Sequence, residues 1–161
     1  MEPRTLYLET SVWGSLGKGQ PRDRKRVVRQ LLELLGNTAS LCVVSEVVIA
    51  ELNQAPAEES AMMFQALAKA EAAVVRVTAQ AEALGQAYLE AGVLPQRRLA
   101  DALHIAVATC SEVDYRVSWN HRHMTRQKKR VQYGAVNLLQ GFSKTPFICN
   151  PLEACDDLRT G

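Results

Sequence analysis

Short apolar runs alternate along the chain with longer stretches in which apolar residues recur every three or four positions. Runs of four or five residues are typical of buried strands, whereas the longer period is typical of helices that turn one face towards a core. The pattern predicts strands at residues 5–8, 41–44, 74–77, 115–119 and 146–149.

Helical periodicity occupies most of the chain between these runs. It predicts helices at residues 22–35, 46–54, 57–70, 79–91, 95–110 and 133–140. Gly36 and Gly92 stand where a helix is expected to stop, and Ser45 and Pro95 stand where helices are expected to begin. The two helical stretches within 57–91 predict a protruding helical hairpin.

Strands that alternate with helices are typical of an α/β domain with a mainly parallel sheet. Right-handed crossovers place helices on both faces of such a sheet. No internal repeat or linker divides the sequence. We therefore predict one domain, residues 1–161, with an α/β fold: an α/β/α sandwich around a mainly parallel sheet of about five strands.

Composition supports a globular chain and excludes several other classes. Of the 161 residues, 47% are hydrophobic and 22% charged, which argues against disorder. The net charge of +2 does not by itself indicate nucleic-acid binding, and no apolar run is long enough to span a membrane. The N-terminus lacks a secretory pattern, and the four cysteines lack zinc spacing. We expect reduced thiols and a cytoplasmic protein.

Polar residues gather where the predicted strands end and two helices begin. Glu9 directly follows the first strand, Glu51 lies in the helix after the second strand, and Asn120 follows the fourth. Asp101 and His104 lie one turn apart near the start of an otherwise apolar helix. Ligands bind at the carboxyl ends of strands in open α/β sheets, so these groups converge if the first and fourth strands are neighbours.

Clustered carboxylates repel one another unless a cation neutralises them. Oxygen ligands of this kind suit Mg²⁺ or Mn²⁺, and such ions can activate water for phosphodiester cleavage. Each residue also has a structural interpretation: Glu9 and Glu51 as solvated charges, Asp101 as a helix-start carboxylate, and His104 as a core histidine.

The segments YLETS, VVSEVVIAEL, LADALHIAVA and VSWNHRHM, spread over residues 6–124, carry a resemblance. The chain resembles a PIN domain of the VapC-type toxin ribonuclease group. The resemblance implies a parallel sheet between helices, an acidic Mg²⁺ or Mn²⁺ site and cleavage of RNA. Matched by position, the catalytic metal ligands are Glu9, Glu51, Asp101 and Asn120.

The resemblance also implies residues that support the site, and this sequence departs from the family pattern at two positions. Hydroxyls beside the family's site are matched by Thr10, Ser11 and Ser118. His104 is interpreted as a residue that contacts the metal ligands and not the metal itself. Glu9 replaces the usual Asp, and Asn120 replaces an Asp found in many relatives, so the cluster has three formal charges instead of four. We expect weak metal binding without substrate phosphate.

Basic residues flank the expected site and are interpreted either as RNA-binding groups or as a solvated surface. They are Arg97, Arg98, Arg122, Arg126, Lys128, Lys129 and Arg130, with His121 and His123 in the same segment. Trp13 and Trp119 are candidates for base stacking or core packing.

The sequence hypothesis is a metal-dependent endoribonuclease, the toxin of a type II toxin–antitoxin pair, with RNA and an antitoxin as partners. A homodimer is left open, and no membrane partner is expected. The alternative is a catalytically weakened PIN-like module that binds RNA or a partner protein. A nucleotide-binding α/β protein is disfavoured, since no glycine-rich phosphate loop follows a strand.

Overall fold

The computed structural model describes residues 2–120 and 123–161. The described strands form one five-stranded sheet in the order β3-β2-β1-β4-β5, and every neighbouring pair is parallel. The strands are β1 (Thr5–Leu8), β2 (Leu41–Ser45), β3 (Ala73–Val75), β4 (Tyr115–Val117) and β5 (Phe147–Cys149). The predicted α/β/α fold is confirmed.

Helices cover the sheet, as right-handed crossovers between parallel strands require. They are α1 (Thr10–Gly14), α2 (Arg22–Asn37), α3 (Glu46–Asn53), α4 (Ala57–Lys69), α5 (Ala79–Glu90), α6 (Leu99–Cys110), α7 (His123–Leu139) and α8 (Pro151–Thr160). A single 3₁₀ turn, Gln96–Arg98, leads into α6. Helix α5 packs along α6, and α2 packs along α8.

Strand β1 is central, and its side chains are removed from solvent. Leu6, Tyr7 and Leu8 are all 0% exposed. The register pairs Tyr7 with Arg116 of β4 and Leu8 with Val117. Because side chains alternate between sheet faces, Tyr7 and Glu9 share a face with Arg116 and the residue two positions further on. This register brings the end of β1 against the end of β4.

The predicted hairpin within 57–91 is wrong. Strand β3 lies between α4 and α5 and joins the sheet through β2, with Val43 opposite Ala73. Helix α5 then crosses to pack on α6. The short apolar run predicted at 74–77 is this strand, but its pairing with β2 depends on residues far away in the chain, which local periodicity does not report.

Helix ends also differ from the predicted ends. Helix α2 continues through Gly36, and the left-handed residue is Ala39, with φ 55°. Helix α7 begins at His123, ten residues before the predicted start at 133, because its first half is mainly polar. The capping box between Asn150 and Glu153 starts the unpredicted α8.

The cysteines are free thiols, and three of them are buried: Cys42, Cys149 and Cys155. Burial raises the pKa of the Cys42 thiol and of the Cys149 thiol to about 12, so both stay protonated. None of the helices that the structure describes combines the length and apolar character needed to cross a bilayer.

Candidate active site

The carboxyl edge of the sheet brings Glu9 and Asn120 into direct contact, as the predicted proximity of the first and fourth strands requires. Glu9 follows β1 and is only 2% exposed. The Asn120 amide nitrogen donates to Glu9 Oε1 at 2.9 Å. Asn120 therefore turns its donor, rather than its oxygen, towards the carboxylate, since an ionised carboxylate only accepts hydrogen bonds.

Two serine hydroxyls complete the set of donors around Glu9 Oε1. Ser118 Oγ donates at 2.6 Å, and Ser11 Oγ donates at 2.8 Å. Each serine also accepts from a backbone N–H group: Ser11 from Trp119 and Ser118 from Asn120. These bonds tie the start of α1 to the segment after β4.

The other carboxylate oxygen of Glu9 forms a buried ion pair. Arg116 Nη2 donates to Glu9 Oε2 at 2.6 Å, and both side chains are 3% exposed. The two side chains can reach each other because the residues are diagonal neighbours on one face of the β1–β4 ladder. Burying either charge alone costs several kcal/mol or more, so each residue requires the other.

The pairing keeps Glu9 ionised. Burial alone raises the pKa of a carboxyl group, but the Arg116 guanidinium and the hydroxyls of Ser118 and Ser11 outweigh burial and lower the pKa of Glu9 below its usual value. Glu9 is therefore a carboxylate at neutral pH, with its charge already balanced by a neighbour.

A second set of contacts holds Glu51 of α3 against α6. His104 Nε2 lies 2.6 Å from Glu51 Oε1, and His104 Nδ1 lies 2.6 Å from the Tyr7 hydroxyl. That hydroxyl is 2.7 Å from Ser45 Oγ, which also caps α3 by accepting from the Val47 N–H group.

One assignment of protons satisfies this whole chain. The Tyr7 hydroxyl donates to His104 Nδ1, and His104 Nε2–H donates to Glu51. Burial raises the pKa of Tyr7 well above its usual value, so its hydroxyl keeps the proton that this assignment needs. His104 thereby fixes the carboxylate of Glu51, whose side chain remains 35% exposed.

Asp101 lies one helical turn before His104 on α6 and has a different partner. Its carboxylate forms an ion pair with the guanidinium of Arg98, which is the last residue of the 3₁₀ turn. The Asp101 side chain is 22% exposed, and that of Arg98 is 34% exposed. Both Asp101 and Glu51 thus keep part of their surface open to solvent.

The charges of the site also act on Tyr133 of α7. Burial raises the pKa of Tyr133 to about 12, and the charges of Arg116, Asp101, Arg98 and Glu9 also act on it. Tyr133 is itself buried, and acids from distant parts of the chain act on it. Even so, within the described chain no three His, Cys, Asp or Glu side chains are arranged to hold a metal ion.

Several of the basic residues that are predicted to bind RNA make contacts within the protein. Arg126 is buried and donates to Glu153 at 2.6 Å. Lys129 donates to the Val93 carbonyl. Arg130 donates to the Thr145 and Pro146 carbonyls.

Other basic residues are more open. Arg97 and Lys128 are exposed, whereas Arg122 lies outside the described residues, as does His121. RNA binding by this group stays a prediction.

The two tryptophans have different surroundings. Trp13 is 0% exposed and donates from its indole nitrogen to the Leu8 carbonyl at 3.1 Å, so it belongs to the core. The Arg24 guanidinium lies over the Trp119 ring, 4.8 Å from its centroid. The indole nitrogen of Trp119 is buried and has no hydrogen-bond partner within residues 2–120 and 123–161, and the same is true of Arg116 Nε.

Sequence reasoning missed Arg116 and Tyr7. Arg116 could have been found, because an arginine inside a buried parallel strand needs an acidic partner. Tyr7 offers no such indication, since a tyrosine in a strand is ordinary. Thr10, the remaining predicted hydroxyl, has a buried Oγ1 for which the described part of the chain offers no hydrogen-bond partner.

Comparisons with known proteins agree with the architecture. One solved structure, the Mycobacterium tuberculosis toxin VapC20, described as cleaving the sarcin–ricin loop, has a TM-score of 0.52 to this chain. The two share 19% identity, and the match covers 88% of this chain and 99% of that one. This likeness supports the fold. No curated protein matches the sequence significantly.

The family model for the PIN domain matches residues 6–113, which is more than half of the chain. The match includes Glu9, Glu51 and Asp101, whereas Arg116 and Asn120 lie beyond its end. The chain belongs to the PIN domain family.

Proposed function

We propose that this chain is an endoribonuclease that cleaves RNA phosphodiester bonds, and that Glu51 and Asp101 carry its chemistry. The observation that carries the proposal is that, in a PIN domain, these two partly exposed carboxylates flank His104 at the sheet edge where α/β proteins bind ligands. His104 contacts Glu51 directly and lies one turn from Asp101 on the same helix.

The family implies a divalent cation, and the donor set fits one only in part. Glu9 Oε1 already accepts three hydrogen bonds and Oε2 is paired with Arg116, so Glu9 offers little to a cation. Arg116 Nε and Trp119 Nε1, which lack a hydrogen-bond partner among the residues that the structure describes, are donors and cannot bind a cation.

Glu51 and Asp101 remain as cation ligands. Mg²⁺ often binds through one or two carboxylates together with substrate phosphate. When bound with RNA, such an ion would lower the pKa of water and polarise the phosphate. We therefore propose Mg²⁺ or Mn²⁺ as the cofactor, recruited together with the substrate.

The chain's own residues have separate tasks in this proposal. His104 holds Glu51 in position through its bond to Tyr7. Arg98 and Arg97, near the start of α6, favour an RNA phosphate through their charge and the helix dipole. These contacts provide affinity without sequence selection, because every phosphate is alike.

We further propose that the enzyme is the toxin of a toxin–antitoxin pair. The likeness of its fold to a VapC toxin supports this assignment. In this proposal the partner is an antitoxin protein that restrains the enzyme. RNA as substrate and free cysteines favour the reducing cytoplasm as the compartment.

The test is cleavage of end-labelled RNAs, including a sarcin–ricin loop hairpin, with Mg²⁺, Mn²⁺ or EDTA. We expect cleavage with either ion and none with EDTA. Glu51→Gln should abolish cleavage, because it removes a charge that holds the cation. The matched control is Glu46→Gln on the same helix, where the carboxylate accepts from the Val77 N–H group instead.

A second candidate is a PIN-fold module that binds RNA or a partner protein without cutting. The Glu9–Arg116 pair favours it, since it neutralises one of the acids that the family site requires. RNA binding in EDTA, with no cleavage under any metal condition, would support this candidate and reject the nuclease.

A further inference from the structure

The most unusual group at the site is the buried guanidinium of Arg116. It stands on a strand of the parallel sheet, 3% exposed, with its Nη2 against Glu9. A divalent cation bound by Glu9 would need an open carboxylate oxygen. Glu9 Oε1 accepts hydrogen bonds from Ser11, Ser118 and Asn120. The other oxygen, Oε2, accepts from Arg116, so neither oxygen is open to a metal ion.

We propose that Arg116 is a resident cation that excludes divalent metal from Glu9, and that Glu9 becomes a metal ligand once this charge is removed. The inference deepens the proposed function, because it concerns which cation balances the same site. It distinguishes this chain's centre from one in which every acid is open to metal.

Charge and space both support this inference. Arg116 and a divalent cation beside Glu9 would repel each other across a few ångströms in a buried environment, where screening by water is weak. The guanidinium also fills the space next to Oε2. A shorter neutral side chain would leave a polar cavity beside a carboxylate, which admits water and a hydrated ion.

Two buried polar atoms, one on Arg116 and one on the residue that follows Glu9, are unsatisfied among the described residues. Arg116 Nε and Thr10 Oγ1 have no hydrogen-bond partner among the described residues. Thr10 directly follows Glu9, so its hydroxyl is an additional oxygen at the end of β1. Removing the guanidinium would eliminate one unpartnered donor and retain this hydroxyl.

The test is calorimetric titration of MnCl₂ into the metal-free full-length protein without RNA. Arg116→Gln removes the charge but keeps an N–H donor for Glu9, and Arg116→Lys keeps the charge. The double variant Glu9→Gln with Arg116→Gln removes both charges. We expect Mn²⁺ to bind Arg116→Gln at least tenfold more tightly than wild type and to raise its melting temperature.

The controls should show no such gain. Arg116→Lys should resemble wild type because a cation still faces Glu9, and the double variant should resemble wild type because the carboxylate is absent. Equal affinity in wild type and Arg116→Gln would overturn the proposal, and so would an equal gain in the double variant.

Folding of the variants also discriminates. If Arg116→Gln is unfolded without metal, its far-ultraviolet circular dichroism should recover in MnCl₂, which would support the proposal. Failure to fold in both conditions would overturn it, because the guanidinium would then be required by the fold.

The outcome is independent of the nuclease assay. A Mn²⁺ gain in Arg116→Gln without RNA cleavage by any variant would uphold the role of Arg116 and reject the proposed nuclease function. Cleavage by wild type with no Mn²⁺ gain in Arg116→Gln would do the reverse.

Discussion

Each acidic side chain at the carboxyl edge of the sheet has its own partner. Glu9 is neutralised by Arg116, Asp101 pairs with Arg98, and Glu51 accepts from a histidine. The partners differ in burial, so the same loss of charge has different consequences. Removing a charge from the buried pair leaves an unpaired ion in the core, whereas removing one from the partly exposed pair does not.

Asp101→Asn should abolish metal-dependent RNA cleavage while leaving the fold intact. The substitution removes one of the two charges available to the cation, and asparagine is nearly isosteric. The lost ion pair with Arg98 and the lost helix-dipole interaction together cost about 2 kcal/mol or less. Cleavage rates in Mn²⁺ and thermal melts without metal check both parts; full activity in the variant would reject the role of Asp101.

Asn120→Asp should lower the melting temperature without metal and tighten Mn²⁺ binding. The change replaces the amide donor to Glu9 with a second carboxylate, and at 4 Å two such charges repel by about 1–4 kcal/mol, depending on screening. The added carboxylate is a charged oxygen ligand for Mn²⁺ in addition to Glu9, so this gain does not require Glu9 to release Arg116. Thermal melts and Mn²⁺ titration of both proteins give the comparison, with Asn120→Ala as the uncharged control. Unchanged Mn²⁺ affinity would place Asn120 outside the metal's reach.

At the scale of elements, helix α7 combines a charged first half with a core-facing second half. Tyr133 and Val136 are buried, whereas Lys128 is exposed. Lys129 and Arg130 donate hydrogen bonds to backbone carbonyls of neighbouring segments. The helix therefore has basic residues that contact the protein's own backbone as well as exposed ones.

Replacing Lys128, Lys129 and Arg130 together with glutamine should weaken binding of unrelated RNAs alike and flatten its salt dependence. Each lost phosphate contact lowers the log–log slope by about 0.7 for a single strand. Anisotropy titrations at several salt concentrations measure the slope. A matched control replaces Arg26, Arg29 and Lys69, which lie on α2 and α4. If the α7 variant has the same log–log salt slope as wild type, residues 128–130 do not contact RNA phosphates and are a solvated surface.

At the scale of the whole molecule, stability depends on carboxylates that the fold keeps ionised. The pKa of Glu9 is lowered in the folded protein despite burial, chiefly through Arg116. The pKa of Asp114 is also lowered: burial opposes the shift, but the Thr5 N–H group and Lys144 outweigh burial. A depressed pKa stabilises the fold above the unfolded-state value, and this stabilisation disappears as pH falls through the folded-state value.

The free energy of unfolding should therefore be insensitive to these two groups between pH 7 and about pH 5, and it should fall at lower pH. Each extra proton bound by the unfolded chain contributes up to about 1.4 kcal/mol per pH unit. Urea unfolding from pH 7 to pH 3 measures the profile. Glu9→Gln with Arg116→Gln should flatten it, and identical profiles would show that Glu9 does not contribute.

The sequence by itself determined the strands, most helices and the position of the acids. Burial of apolar side chains imposes a period on each element, and that period can be read locally from runs such as 5–8 and 41–44. The Ser45 cap before α3 could also be predicted from the sequence, because a capping side chain bonds to backbone groups of the helix that follows it directly. Parallel topology then placed Glu9 near Asn120.

Only the tertiary structure decided which charge meets which. Glu9 and Arg116 are 107 positions apart, and their pairing depends on the register of β1 against β4. The bond from His104 to Glu51 likewise joins two helices 53 positions apart. Local periodicity carries no information about such contacts, because an ion pair needs two side chains of the right length on one face at one depth. The acids of the site are therefore visible in the sequence, whereas the cation that neutralises Glu9 becomes visible only in the folded chain.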